Sequence, residues 1–266
     1  MKAVISTTYD DKYLWFLPLT TWLWNRLGVD VICFMPRLNE ISDKIALINN
    51  VQVEQKLRQK HYFFNSPTHK EATYSQCSRL YAACLDIPEY EVLISSDIDM
   101  ALFKIPIPEY AKGTFTVFGS DLVPENQFPI CYLSATVKQW RDAFNLNGKS
   151  YQQCLDELLG DIECESFRGN YWGKDQEEAY NKINLSQAIT LVPRSNGQNQ
   201  LATKRYDRDD SYIIDRLSPD TIDYHMNRPG FEDGNFQIIL TIMKYHFPNE
   251  DFQWIIDYNE QYKKLL

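Results

Sequence analysis

The sequence predicts an α/β protein with a mostly parallel central sheet flanked by helices. Three observations predict it. The chain opens strand–helix–strand: Lys2 to Ser6 and Val29 to Met35 are short apolar runs, and Leu14 to Leu27 between them has helical length. A connection of that kind joins parallel strands by a right-handed crossover. The 266 residues are 44% hydrophobic and 14% aromatic, enough to build a sizeable core and to exclude disorder throughout. No internal repeat and no sharp linker divides them, so one domain is expected over 1–266.

The elements follow in order. The first strand, Lys2 to Ser6, ends in the polar run Thr7-Thr8-Tyr9-Asp10-Asp11. The helix from Leu14 to Leu27 is stopped by Gly28, as a C-terminal glycine does. The second strand closes at Pro36. Residues 38–65 are mixed and read as one or two helices. Thr68-His69-Lys70-Glu71 matches a capping box, and the helix after it carries Ala72, Cys77, Leu80, Tyr81, Cys84 and Leu85 near a 3.6 period. Asp86-Ile87-Pro88 ends it. Strands are expected at Glu91 to Ser95, Thr114 to Phe118 and Ala188 to Pro193. Helices are expected at Ser134 to Phe144, Tyr151 to Leu159, Asp175 to Ile183, Phe236 to Phe247 and Phe252 to Leu265. The polar run Ser195 to Ser211 has no periodicity and reads as a long loop, of a length that marks lids and binding loops.

Charge and cysteine usage narrow the function. A net charge of −9 repels phosphate backbones and argues against nucleic-acid binding. The six cysteines, Cys33, Cys77, Cys84, Cys131, Cys154 and Cys164, form no C-x-x-C pair, so zinc has no support. Most lie in apolar segments, as reduced thiols do. Ala3 to Ile5 is too short for a signal-peptide core, and no segment approaches the roughly 20 apolar residues of a membrane helix. A soluble cytoplasmic protein is expected. The aromatic stretch Tyr13 to Trp24 reads as a buried helix face.

The stretch that carries chemistry is Val92-Leu93-Ile94-Ser95-Ser96-Asp97-Ile98-Asp99. An apolar run that belongs inside a sheet ends by presenting two carboxylates. Ligands of open α/β sheets bind beyond the carboxyl ends of strands. Two carboxylates there repel unless a cation lies between them, and Mg²⁺ or Mn²⁺ favours such oxygen ligands. In extended backbone a spacing of two turns both to one side. D-x-D alone is a weak signal: Asp207-Arg208-Asp209 also fits, but it sits in a polar loop where charges need no explanation.

The run from Tyr74 to Phe103 resembles the donor-binding core of GT-A fold glycosyltransferases, in particular the glycogenin-like and lipopolysaccharide galactosyltransferase-like group. There a helix bearing Arg leads to Tyr and then D-x-D; here those residues are Arg79, Tyr90, Asp97 and Asp99. The first strand with Thr7, Thr8 and Tyr9 is similar to the segment that touches base and ribose. Asp175, Gln176 and Asn181 match a later segment, and His225 resembles the late histidine of the metal site. The pattern departs at Phe128 to Thr136, where the family shows an Asn-x-Gly turn, and at Arg228-Pro229, which follows His225 closely.

The resemblance implies a GT-A domain, with residues to about 120 binding the donor and the remainder binding the acceptor and closing the site. It implies an enzyme that transfers a sugar from a nucleotide-diphosphate sugar, UDP-linked, to a glycan or other hydroxyl. Mn²⁺ or Mg²⁺ would be held by Asp97, Asp99 and His225. Thr7, Thr8, Tyr9, Arg79, Ser96, Asp97 and Arg228 would contact the nucleotide sugar, and Asp175 with Gln176 would stand at the reacting centre. Lys204, Arg205 and Arg208 form a basic loop, read as a diphosphate cover or a solvated run. Tyr171 and Trp172 offer a stacking platform or core. Two other classes compete: a haloacid-dehalogenase-like phosphoryl-transfer enzyme, which places D-x-D on its first strand, and a non-catalytic sugar-nucleotide or glycan-binding module.

Overall fold

Alternation along the two innermost parallel strands sets the architecture. In a computed structural model, Ala3 and Ile5 face one apolar cluster while Val4 between them faces another; Val31, Cys33 and Met35 join the first, Ile32 and Phe34 the second. Both faces are covered, as parallel sheets require. The structure describes residues 1–38, 40, 42–105, 114–121, 123–160, 173–184, 189–192 and 205–266.

In chain order the strands are β1 (Lys2–Ser6), β2 (Asp30–Pro36), β3 (Gln59–Phe64), β4 (Val92–Ser95), β5 (Met100–Leu102), β6 (Phe115–Phe118), β7 (Leu133–Thr136), β8 (Ile189–Val192), β9 (Arg205–Asp207) and β10 (Asp223–His225). The helices are α1 (Asp11–Leu14), α2 (Leu17–Arg26), α3 (Asp43–Glu54), α4 (Glu71–Ser78), α5 (Val137–Phe144), α6 (Tyr151–Leu159), α7 (Lys174–Asn184), α8 (Asp233–His246) and α9 (Gln253–Lys263). The main sheet has the order β3-β2-β1-β4-β7-β6-β8, parallel except where β7 meets β4 and β6. A second, small sheet has the order β5-β10-β9.

The first cluster lies under α2, α3, α8 and α9, and the second under α4, α5, α6 and α7. Helix α2 is buried from Leu17 through Trp24, which explains its apolar composition all round. Trp22 packs edge-on against Phe247 and Phe252. No helix among the described residues is long and apolar enough to cross a membrane.

Several expectations change. Residues 38–65 hold one helix, α3, and the edge strand β3. The capping box at Thr68 does not form: Thr68–Lys70 is a single 3-10 turn, and α4 starts at Glu71 without a side-chain cap. After Ser78 the helical run tightens to a 3-10 stretch over Arg79–Cys84. The segment from Ser134 begins as strand β7, and the capping box belongs to Thr136 and Gln139 of α5. Within the expected long loop, Arg205–Asp207 is a strand; 195–204 lie outside the described residues.

Candidate active site

Strands β1 and β4 run side by side in parallel, so their carboxyl ends emerge together. From β1 come Thr7, Thr8 and Tyr9; from β4 come Ser96 and Asp97. Thr7 extends the pairing through its N–H to Phe34 O at 3.1 Å, and Ser96 through its N–H to Val4 O at 2.9 Å. The Thr7 hydroxyl donates to Thr8 O at 3.0 Å, and Thr8 Oγ1 accepts from the Asp10 N–H at 3.3 Å. Tyr9 donates its hydroxyl to Pro36 O at 2.7 Å, and burial pushes its pKa well up. Beside it opens a cleft of about 420 Å³, lined also by Leu38, Ser42, Lys44 and Leu265.

The aspartate pair does not stay extended. After Ser96 the chain turns, with the Met100 N–H donating to Asp97 O at 3.3 Å. Thr20, buried in α2, donates its hydroxyl to Ile98 O and pins the middle of the turn to the core. The two carboxylates therefore face different neighbours, which corrects the expectation that both lie on one side.

Asp97 turns toward the 3-10 stretch and its first residue. Arg79 is buried there with a side-chain exposure of 5%. Its Nη1 donates to Ser96 O at 3.0 Å and to Asp97 Oδ1, and its Nη2 donates to Asp175 Oδ2 at 2.9 Å. Asp175 sits in the first turn of α7, just after Gly173, whose φ of 93° suits a residue without Cβ. Its Oδ1 accepts the Gln176 N–H at 2.9 Å. Burial raises the Asp175 pKa, and the Arg79 guanidinium opposes that rise. The Gln176 side-chain oxygen is buried without a hydrogen-bond partner among the described residues.

Asp99 faces the other way, and strand register decides its company. In the small sheet His225 pairs with Met100 across the antiparallel contact and with Asp207 across the parallel one. That register lays Asp99, His225 and Asp207 side by side. Asp99 Oδ2 lies 2.8 Å from Arg208 Nη1, 3.2 Å from Arg228 Nε and 3.4 Å from His225 Nε2. The other ring nitrogen of His225 lies 3.7 Å from Asp207 Oδ1. Burial alone would raise the Asp99 pKa; His225, Arg228 and Arg208 overcome it and hold the carboxyl well below the usual range. His225 is likewise opposed by burial, yet Asp207 and Asp99 raise its pKa. The hydrogen bond from His225 brings Asp207 down to about 2. Arg228 also donates to the Tyr13 hydroxyl at 2.6 Å and lies 4.9 Å from the centre of that ring.

All the expected site residues thus gather at the ends of β1 and β4, but in two groups: Arg79, Asp97 and Asp175 in one, Asp99, His225 and Arg228 in the other. Tyr13 and Asp207 belong to the second group and were not placed in the site from sequence; Arg208, read from sequence as part of a diphosphate cover or a solvated run, joins them beside Asp99. Asp207 and Arg208 come from the D-x-D match set aside as a loop accident. Arg205 is not a diphosphate cover: it forms a buried pair with Asp223 at 2.7 Å. Lys204, Tyr171 and Trp172 lie outside the described residues.

The donor set fits a hard divalent cation in kind. Asp99 and His225 present oxygen and nitrogen toward one another, and Asp207 behind the ring is the partner that orients a ligating imidazole. Asp97 is turned to Arg79, and no three His, Cys, Asp or Glu side chains converge as a cage among the described residues. A cation at Asp99 would meet two protein ligands, Asp99 and His225, while Asp97 stays on Arg79.

No family model and no curated protein matches the chain by sequence. Solved structures do match by fold. The galactosyltransferase LgtC, in complex with donor and acceptor sugar analogues, superposes with a TM-score of 0.52 over 96% of this chain and 99% of its own, at 10% identity. The glycosyltransferase GlyE of Streptococcus pneumoniae TIGR4 gives 0.53 over 99% of this chain and 64% of its own, at 11% identity. The bifunctional glycosyltransferase WbbM gives 0.53 over 98% and 51%, at 11% identity. The chain has the GT-A glycosyltransferase fold. It spans nearly all of LgtC but about two thirds of GlyE and half of WbbM.

Proposed function

We propose that this protein transfers a sugar from a UDP-sugar to a hydroxyl of a glycan or similar acceptor. The observation that carries the reading is that the chain beyond β4 presents a buried carboxylate ringed by cations, Asp99, and, two residues earlier, Asp97 on the guanidinium that also holds the buried Asp175. The GT-A fold supports the same class of reaction.

The nucleoside lies along Thr7, Thr8 and Tyr9 and the cleft beside Tyr9, with Ser96 and Asp97 toward the ribose. Asp99 and His225, with Asp97, would hold Mn²⁺ or Mg²⁺, which when bound would supply Lewis-acid stabilisation of the departing diphosphate. Breaking the anomeric C–O bond builds negative charge there. Arg228 and Arg208, already beside Asp99, bring two guanidinium groups to phosphate oxygens. Asp175 acts at the reacting centre. In an inverting transfer it takes the proton of the acceptor hydroxyl, a role that a raised carboxyl pKa favours. In a retaining transfer it orients the donor sugar, and the free Gln176 oxygen stands beneath the anomeric carbon. The anomeric form of the product separates the two. Arg79 is a positioning residue that holds Asp97 and Asp175 in place.

The test is a thermal-shift panel of sugar nucleotides with and without Mn²⁺. UDP and Mn²⁺ together are expected to raise Tm more than the sum of their separate effects. Merely additive shifts, with no donor hydrolysis from any sugar nucleotide, would sink the proposal.

A further inference from the structure

A pair of thiols lies on the face of the main sheet that carries the second apolar cluster. Cys84 and Cys154 are 70 residues apart in sequence, and their sulfurs are 3.9 Å apart in space. Cys84 ends the 3-10 stretch that Arg79 begins; Cys154 sits early in α6. Around them pack Tyr81, Phe144 and Leu155 of the second apolar cluster.

We propose that Cys84 and Cys154 form a modification site, a dithiol that a peroxide closes to a disulfide and a thiol reductant reopens. The geometry carries the proposal. A disulfide needs an S–S length of about 2.05 Å, so the sulfurs must approach by somewhat under 2 Å. Cys84 is half-buried and gives a small oxidant its way in, while Cys154 is buried behind it.

Electrostatics assigns the roles. Cys154 lies early in α6, whose N-terminus favours a thiolate; the contact with Cys84, in which either sulfur serves as donor, and the Lys149 ammonium act in the same direction. Cys154 is therefore the nucleophile. Its thiolate attacks one oxygen of the peroxide, the O–O bond breaks, and hydroxide leaves, giving a sulfenic acid at Cys154. Cys84 then attacks that sulfur, the S–O bond breaks, and water leaves with the Cys84 proton. The two thiols lose two electrons and the peroxide gains them.

The bridge ties the Arg79–Cys84 stretch to α6 across a long loop, so it stabilises the fold by restricting the unfolded chain. Full-length protein treated with stoichiometric hydrogen peroxide is expected to lose two hydrogens in intact mass. Its alkylatable thiols should fall by two from the six of the sequence. A cross-linked peptide should join Cys84 to Cys154, and dithiothreitol should reverse all three. Tm should rise by about 5 °C. Cys84→Ser should stop at a sulfenic acid that dimedone traps at Cys154, and Cys154→Ser should give neither sulfenic acid nor bridge. Wild-type protein that keeps every thiol, or pairs either cysteine with another, would overturn the proposal. Because the readouts are mass and thiol count, they stand apart from the test of glycosyl transfer.

Discussion

Asp97 and Asp99 stand two residues apart and occupy different worlds. Asp97 keeps 38% of its side chain exposed and meets one guanidinium, that of Arg79. Asp99 keeps 5% and meets two, with the His225 ring as a third neighbour. The difference comes from the turn at Ile98, which the Thr20 hydroxyl fastens to α2. A D-x-D motif is thus not a matched pair of ligands. One carboxylate is the buried hub of a cationic cluster; the other is a hinge between the nucleotide side and Asp175.

The sharpest way to break the contrast is Asp99→Asn. It leaves Arg208, Arg228 and His225 without their common counter-charge, and we expect a stability loss of about 2 kcal/mol in urea melts. The synergy of UDP with Mn²⁺ should vanish. Asp97→Asn keeps the Arg79 contacts to Ser96 O and Asp175, so its stability loss should stay within about 1 kcal/mol. Equal losses in the two variants would erase the distinction.

Next comes Asp175→Asn. Transfer should fall by roughly 100- to 10,000-fold while the nucleotide-dependent Tm shift survives. Turnover within a few-fold of wild type would remove Asp175 from the chemistry. Thr20→Val tests the fastening itself. It leaves the Ile98 carbonyl unpaired at a cost of about 1–2 kcal/mol, and it should weaken nucleotide binding with Mn²⁺ several-fold, read by calorimetry. Unchanged binding would mean that the turn holds without Thr20.

The smallest expected effect concerns acid. His246 stacks on Phe103 with ring centres 3.8 Å apart and a buried Nε2 that has no partner among the described residues. Burial, with Lys104, lowers its pKa from 6.5 to about 4. The folded state therefore resists protonating it, so its stabilisation is full above pH 6.5 and is lost as pH falls toward 4. The contribution of Asp99, whose carboxyl is depressed, persists to lower pH and fades only below the ordinary value of 3.8. His246→Leu should flatten the stability profile between pH 6.5 and 4 by on the order of 1 kcal/mol, since the ring is partly exposed. A slope unchanged in that variant would assign the acid loss elsewhere.

The fold was legible where periodicity is local. β1, β2 and β4 announce themselves by short apolar runs, and α6 by its spacing and bounds. Edge strands were harder: β3, with its exposed Lys60 and Phe63, carries no clean alternation. The capping box at Thr68 failed because a 3-10 turn precedes α4. Within the site, Arg79, Asp97, Asp99, Asp175 and His225 could be named from motif context, but their grouping could not. That depends on a turn anchored by Thr20 and on register between strands far apart in sequence. Asp207 was missed, and the place of Arg208 beside Asp99 was left open, for the same reason: a three-residue strand inside a polar run gives no period to read. The only hint was the alternation Arg205-Tyr206-Asp207, with the buried Tyr206 between two charged residues.

The small sheet has a consequence for how the protein comes into being. Its contact between Arg208 and Asp99 spans 109 positions, so it closes only after the ribosome has delivered residue 208. The parallel strands β1, β2 and β4 have all emerged long before. During synthesis there is therefore a period in which the platform can exist without its cationic wall, and loop-closure entropy makes that wall the late arrival.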